Sequence, residues 1–143
     1  MPQLVEILLV DDSVTDAELI MSSLQERLRV RNLLWLPTGE AALDFLRRKG
    51  EYANRGRLQP RLVILDKNLP GLNGLDVLQQ MKADPALKLI PVVMLTGSST
   101  DAEKKESYHL GVNSFILKPA ESTLFATEID RLGAYWMQVN QTL

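Results

Sequence analysis

The sequence contains no cysteine, which excludes disulfide bonds and thiol chemistry and fits a reducing compartment. It also has no excess of basic residues, because 16 Lys and Arg stand against 18 Asp and Glu, for a net charge of −2. This balance argues against a dedicated nucleic-acid binder and against a basic helix that adheres to membrane surfaces. No apolar run approaches the roughly 18 residues of a transmembrane helix, and the amino terminus lacks the charged region of a signal peptide. We therefore expect a cytoplasmic protein that binds neither nucleic acid nor membrane.

What the chain does have is the composition of a globular domain. Its 143 residues are 45% hydrophobic and 24% charged, close to the averages for folded proteins. A chain of this length is about one domain and needs no disulfide or metal to stabilise it. We expect a single domain over residues 1–143 without a separate output domain, because little chain follows the last predicted helix.

Five short apolar runs, rich in Val, Ile and Leu, are spaced along the chain. They lack apolar–polar alternation, which is typical of parallel strands covered on both faces. Segments with a helical spacing of apolar residues separate them, so the pattern predicts five consecutive β/α units. Such units build a doubly wound α/β fold, with a five-stranded parallel sheet between two layers of helices. The predicted strands cover residues 5–10, 32–36, 62–65, 92–95 and 115–117.

Two segments between the predicted strands are unusually polar. Residues 101–109 follow a helix-capping signal but have almost no apolar face, which predicts a weakly anchored fourth helix. Residues 49–60 are too polar to pack well, and we expect them to form a surface loop.

Charged and hydroxyl side chains follow four of the predicted strands. Asp11 and Asp12 follow the first strand, Asp66 ends the third, Thr96 follows the fourth and Lys118 follows the fifth. The carboxyl ends of parallel strands meet at one edge of the sheet, so these side chains should converge there. Each of them alone is more often a helix cap or a turn residue. Three carboxylates gathered in one crevice, however, repel one another unless a cation neutralises them.

The residue types indicate which cation this is. Carboxylates with no histidine or cysteine nearby form a hard, oxygen-rich site that suits Mg²⁺. A carboxylate beside Mg²⁺ can act as a nucleophile and form an aspartyl phosphate. Phosphoryl transfer also needs cationic and hydrogen-bonding groups around the phosphoryl oxygens, which Lys118, the Thr96 hydroxyl and backbone N–H groups could supply.

The order and spacing of these residues resemble the receiver domains of two-component response regulators, and the resemblance covers residues 4–136. It implies a flavodoxin-like (βα)5 fold with strand order 2-1-3-4-5. It also implies a function: the regulator accepts a phosphoryl group from a sensor histidine kinase and signals to a partner by a conformational change. Such a protein is not an enzyme and has at most slow autodephosphorylation.

The resemblance assigns the phosphoacceptor and the metal ligands. Asp66 would accept the phosphoryl group. Asp11 and Asp12 would hold Mg²⁺, directly or through water, together with Asp66 and the backbone carbonyl of Asn68.

It assigns the groups that respond to phosphorylation as well. Thr96 would bond a phosphoryl oxygen, and Lys118 would form an ion pair with the phosphoryl group. Phe115 matches the aromatic position that turns inward when the threonine moves. The peptide bond between Lys118 and Pro119 would be cis, as in receivers generally.

Two features depart from the commonest receiver pattern. Lys67, directly after Asp66, stands where an apolar residue is usual, and residues 49–60 lengthen the chain before the phosphoacceptor. Together with the phrase Asn68-Leu69-Pro70 and the aromatic carboxyl-terminal end, these features resemble the regulators that accompany bacterial phytochromes. The narrower resemblance implies a phytochrome-type histidine kinase as partner.

Bulky side chains stand at three consecutive positions near the end of the last predicted helix, namely Tyr135, Trp136 and Met137. One helix has one apolar stripe, so we expect that these residues do not all face the same core. The excess predicts an interface, most simply a homodimer through the C-terminal helix region.

A different class of function uses a similar set of residues. Phosphohydrolases of the haloacid-phosphatase type combine a nucleophilic Asp with Thr, Lys and an acidic pair. Their nucleophile lies on the first strand, and a second carboxylate two residues later acts as the acid. Here the candidate nucleophile lies on the third strand, and Asn68, two residues later, cannot act as a general acid. The phosphohydrolase is therefore the weaker alternative.

Overall fold

The computed structural model describes residues 4–141, which form five strands that alternate with five helices. The strands are β1 (Ile7–Val10), β2 (Leu33–Leu36), β3 (Leu62–Asp66), β4 (Val92–Thr96) and β5 (Ser114–Leu117). The helices are α1 (Val14–Ser22), α2 (Gly39–Arg47), α3 (Gly74–Ala83), α4 (Asp101–His109) and α5 (Ser122–Ala134). Short π-helical segments continue α1 over Ser23–Arg27 and α5 over Tyr135–Val139. Among residues 4–141, no helix combines the length and apolar character needed to cross a membrane.

The five strands form one parallel sheet in the order β2-β1-β3-β4-β5. Val10, the last residue of β1, lies opposite Leu36 on one side and Leu65 on the other. Thr96 at the end of β4 lies opposite Leu117 at the end of β5. This register brings the carboxyl ends of the strands to one edge, and the predicted doubly wound fold is confirmed.

Two apolar cores cover the two faces of the sheet, because alternate residues of each strand point to opposite sides. On one face, strand residues such as Leu8 and Leu65 pack against α2 and α3. On the other face, Ile64 and its neighbours pack against α1, α5 and their π-helical extensions. Strand residues buried on both faces explain the continuous apolar runs of the sequence.

Helix α4 contributes almost nothing to either core. Within Asp101–His109, Ser107 is the one buried residue, and neither apolar cluster contains a residue of this helix. Its N-terminal end is nevertheless well formed, since Thr100 and Glu103 exchange side-chain and backbone hydrogen bonds in a capping box. The sequence-based expectation of a polar, shallowly packed helix is confirmed.

The segment of residues 49–60 is more ordered than its polarity suggested. Arg55 lies over the Phe45 ring, 4.0 Å from its centroid, and donates a 2.7 Å hydrogen bond to the Phe45 carbonyl. Tyr52 packs edge-on against the same ring. Arg55 and Tyr52 therefore hold this segment against Phe45 of α2.

The aromatic end of α5 agrees with the expectation that its three bulky side chains do not all face one core, while the interface stays a prediction. Trp136 is buried, and Met137 packs beside the same core, so both side chains face the protein interior. The chain is π-helical over Tyr135–Val139, and its wider turn changes the angular spacing of successive side chains. Only Tyr135 of the three bulky residues is exposed.

Candidate functional site

The predicted side chains meet at the carboxyl edge of the sheet. Asp66 and Thr96 are the last residues of β3 and β4, and Asp11 and Lys118 directly follow β1 and β5. The backbone N–H of Lys118 donates a 2.7 Å hydrogen bond to the carbonyl of Thr96, which extends the pairing of β4 and β5. Because these positions are set by the sheet itself, the site is built on strand ends and not on a long loop.

Three carboxylates form the acidic part of the site. Oxygen atoms of Asp11, Asp12 and Asp66 lie within 4.8 Å of one another. Asp11 and Asp66 are buried, whereas Asp12 is exposed at the mouth of the site. Such a cluster of hard oxygen donors fits a divalent cation of the Mg²⁺ type. The backbone carbonyl of Asn68, which the resemblance offers as a further ligand, stays a prediction.

Lys118 gathers the carboxylates around one ammonium group. Its Nζ lies 2.9 Å from Oδ2 of Asp11, 2.9 Å from Oδ2 of Asp16 and 3.1 Å from Oδ2 of Asp66. The interaction with Asp16 was not predicted from the sequence. Asp16 lies in the first turn of α1, the helix that follows Asp11 and Asp12 in the chain. An acidic residue so close to the strand end was the sequence feature that could have indicated this interaction. All three donor directions of the ammonium are thereby used.

The charges of the site are incompletely balanced. Burial raises the pKa of Asp11 to about 6, although hydrogen bonds from Lys118 and Ser13 oppose the shift. Burial would lower the pKa of Lys118, but its hydrogen bonds to Asp16 and Asp11 outweigh this effect and raise it. One cation shared by three anions stays firmly protonated, whereas each anion is only partly compensated. The cluster therefore has negative charge to offer a cation.

Local hydrogen bonds fix the remaining groups. The N–H of Asn68 donates to Oδ1 of Asp66 at 3.0 Å, which orients the carboxylate. The side-chain amide of Asn68 donates to the Thr96 hydroxyl at 3.1 Å, and that hydroxyl donates to the carbonyl of Ser98 at 2.6 Å. The hydroxyl proton of Thr96 thus points to Ser98. Its role toward a phosphoryl group stays a prediction.

Two glycines shape the surroundings of Asp66 in opposite ways. Gly74 begins α3, and a Cβ atom there would lie 2.3 Å from the carbonyl oxygen of Asp66. Glycine is therefore required for α3 to start so close to the end of β3. At Gly97, directly after Thr96, a Cβ atom would meet no heavy atom within 4 Å, so the approach to the site is open there.

Phe115 and Pro119 occupy the positions that the sequence indicated. Phe115 lies on β5, opposite Met94, and is half-buried against the core on the α2–α3 face. The cis peptide bond expected before Pro119 is not found, since every peptide bond among residues 4–141 is trans. That expectation is wrong for this structure.

The family model for the response regulator receiver domain matches residues 7–130 of this chain. The chain belongs to the response-regulator receiver family. The receiver has the sheet order and the converging strand-end residues that the resemblance implied, and it is a signalling protein of this class. The phosphohydrolase alternative is not supported.

Known relatives support the narrower resemblance. The receiver is 37% identical to the probable methanogenesis regulatory protein FilR2 of Methanothrix harundinacea, over 95% of this chain and 86% of that protein. It is 37% identical to the response regulator Rcp1 of Synechocystis sp., over 92% and 88% of the two chains. A crystal structure of the Mn²⁺-bound form of Rcp1 superposes with a TM-score of 0.86, at 35% identity and over 96% and 97% of the two chains. The crystal structure of the phosphorylated cyanobacterial phytochrome response regulator RcpA superposes with a TM-score of 0.91. The two proteins are 34% identical, and the match covers 98% of this chain and 99% of that chain.

Proposed function

We propose that Asp66 is the phosphoacceptor of this receiver. A carboxylate oxygen of Asp66 attacks the phosphorus of a phosphohistidine on a sensor kinase, the P–N bond breaks, and the imidazole leaves with the electron pair. The observation that carries the proposal is the position of Asp66, buried at the end of β3 among two other carboxylates and the Lys118 ammonium. The N–H of Asn68 holds the carboxylate in one orientation, which reduces the cost of reaching the reactive geometry.

We infer that the acidic cluster takes Mg²⁺, with Asp11, Asp12 and Asp66 and the carbonyl of Asn68 as ligands. The chemistry of the donors supports this, because the cluster offers oxygen atoms only. Burial raises the pKa of Asp11, with repulsion from Asp66 as a smaller cause, and a bound cation would favour the ionised carboxylate. When bound, Mg²⁺ supplies positive charge that offsets the repulsion between the carboxylates and an incoming phosphoryl group.

The neighbouring groups then act on the phosphorylated state. Lys118 exchanges part of its contact with the carboxylates for an ion pair with the phosphoryl oxygens. The Thr96 hydroxyl gives up its hydrogen bond to the Ser98 carbonyl and turns to the phosphoryl group. Phe115, half-buried on the neighbouring strand β5, moves into the space that Thr96 leaves. Loss of the phosphoryl group to water is at most slow.

The partner that we propose is a sensor histidine kinase of the phytochrome type. The similarity to Rcp1 and RcpA supports this choice. The near-neutral composition supports a protein that acts without nucleic acid or membrane, and the absence of cysteine fits the cytoplasm. The single-domain organisation over residues 1–143 stays a prediction.

We also propose that the receiver forms a homodimer through the C-terminal helix region. Exposed apolar side chains on and beside β5 and α5 support it, although Trp136 and Met137 face the core. These side chains are Leu117, Leu124, Tyr135 and Val139. Sedimentation should find the parent as a dimer and a Leu124→Ala, Tyr135→Ala variant as a monomer. Leu58→Ala, which removes an even more exposed apolar side chain elsewhere, should remain dimeric. A monomeric parent would count against the interface.

Intact mass tests the phosphoacceptor directly. The protein is incubated with acetyl phosphate and Mg²⁺, and we expect one added phosphoryl group that is absent in Asp66→Asn and after chelation of the metal. Asp101→Asn, at an exposed carboxylate outside the cluster, should be modified like the parent. Continuous hydrolysis of phosphomonoesters, or modification that survives Asp66→Asn, would contradict the proposal.

A further inference from the structure

Lys67 is a buried cation directly beside the proposed phosphoacceptor. Only 7% of its side chain is exposed. Its backbone is held on both sides, since its N–H donates to the carbonyl of Leu95 and its carbonyl accepts from the N–H of Gly74. A buried ammonium is costly unless it is paired, so the partner of Lys67 matters for the structure around it.

The partner is Glu103, in the first turn of α4. Oε2 of Glu103 contacts the ammonium of Lys67, while Oε1 accepts the N–H and hydroxyl hydrogen bonds of Thr100 at 3.0 and 3.2 Å. The carboxylate of Glu103 thus caps its own helix and also pairs with Lys67, the residue directly after β3. The hydrogen bonds from Lys67 and Thr100 keep the pKa of Glu103 below its ordinary value.

This ion pair is the main polar attachment of α4 to the rest of the fold. Among the described residues, Glu103 is the one member of Asp101–His109 whose side chain bonds to another helix or strand region. The helix adds no apolar side chain to either core, as its burial pattern shows. An element with so little buried surface is held by few contacts and can open at low cost.

The pair also lies at the opening of the acidic site. Lys67 and Glu103 line a cleft of about 370 Å³ together with Asp12 and Asn68. Lys118, the other cation of the site, is already shared by three carboxylates. Lys67 directly follows Asp66 in the chain and shares this cleft with Asp12, so negative charge added at Asp66 attracts a second ammonium besides Lys118, and this attraction competes with the contact to Glu103.

We propose that the ion pair between Lys67 and Glu103 is a tether that couples the phosphorylation site to α4. In the unmodified protein it holds the first turn of α4 against the end of β3. When Asp66 gains a phosphoryl group, the ammonium of Lys67 is drawn toward it, Glu103 is released, and α4 becomes free to shift. The release step rests on the proposed function of Asp66, whereas the tether itself does not.

Hydrogen exchange of the unmodified protein tests the tether. Backbone amides of residues 104–110 should exchange about tenfold faster in Lys67→Met and in Glu103→Gln than in the parent. Lys105→Met and Glu106→Gln, which change exposed residues of the same helix, should leave exchange unchanged. Because a lone Lys67→Met could disturb β3, the double variant with Glu103→Gln is included, and it should exchange no faster than either single variant. Parent-like exchange in both single variants would overturn the tether.

Exchange after phosphorylation tests the release. With modification confirmed by mass, the amides of residues 104–110 should exchange faster in the phosphorylated parent and show no further change in phosphorylated Lys67→Met. Equal acceleration in the two proteins would overturn the release step. Absence of any modification at Asp66 would refute the proposed function and the release with it, while exchange in the unmodified protein still decides the tether.

Discussion

The ammonium of Lys118 lies 2.9 Å from Oδ2 of Asp16, a carboxylate 102 positions earlier in the chain. Asp16 is about one third exposed, whereas the other two carboxylates around Lys118 are almost fully buried. The three anions therefore share one cation but differ in how much water compensates them. Asp16 is the partner that the ammonium can release at the lowest cost when another anion arrives.

This arrangement predicts unequal effects of removing the cation and of removing one anion. Lys118→Met leaves buried carboxylates without a counter-charge and should lower the free energy of unfolding by about 3 kcal/mol at pH 7 without metal. Asp16→Asn should lower it by no more than about 1 kcal/mol, because its carboxylate is partly solvated. Urea unfolding measures both. Millimolar Mg²⁺ should recover part of the loss in Lys118→Met, and an equal loss in the two variants would contradict the interpretation.

The raised pKa of Asp11 predicts a specific pH dependence in the metal-free protein. The folded-state pKa of about 6 lies above the ordinary value of 3.8, so the folded state binds this proton more tightly than the unfolded chain does. The contribution of this carboxyl to stability is therefore present at low pH and is lost as the pH rises toward and beyond 6.

The measurement compares the parent with Asp11→Asn, which removes this titration. The free energy of unfolding of the parent, relative to that of the variant, should fall by about 1 kcal/mol between pH 5 and pH 8. Mg²⁺ should reverse the fall at pH 8, since the cation stabilises the ionised form. A difference that is independent of pH would show that Asp11 titrates in its ordinary range.

The close approach of α3 to β3 predicts a strong effect at one glycine. A methyl group in Gly74→Ala would lie 2.3 Å from the carbonyl oxygen of Asp66 and 2.7 Å from Cα of Lys67, both backbone atoms with little room to shift. We expect a loss of about 2 kcal/mol or more in the free energy of unfolding, and weaker Mg²⁺ binding because Asp66 is displaced. Gly97→Ala, where a methyl group meets nothing within 4 Å, should change stability by less than about 0.5 kcal/mol.

The end of α5 predicts different outcomes for two adjacent aromatic residues. Trp136 is 8% exposed and packs with Ile129 and Leu132, so Trp136→Ala should cost about 3–5 kcal/mol of stability through loss of core packing. Tyr135 is exposed and its ring packs nearly perpendicular to that of Trp136, so Tyr135→Ala should cost less than about 1 kcal/mol. Thermal unfolding under dilute, monomeric conditions distinguishes them. A larger loss for Tyr135→Ala would contradict the packing described here.

Much of the fold and of the site follows from local features of the sequence. Apolar runs without alternation predicted the five buried strands, and the helical spacing between them predicted a doubly wound sheet. Once the strands are parallel, the residues after their carboxyl ends must share one edge, which is why Asp11, Asp66 and Lys118 could be grouped in advance. The polar character of α4 could also be predicted from the sequence, because a helix with almost no apolar residues has little to bury.

Other features depend on how the elements pack, and no local pattern contains them. The bond between Asp16 and Lys118 requires α1 to pass beside the end of β5, and the pair of Lys67 and Glu103 requires α4 to begin beside β3. At the end of α5, packing places Trp136 and Met137 against the core and leaves Tyr135 exposed, a division that three consecutive bulky residues do not specify. Residue types and strand order determined which groups reach the site. Only the tertiary packing decided which carboxylate holds which ammonium, because those pairings depend on distances of a few ångströms between residues far apart in the chain.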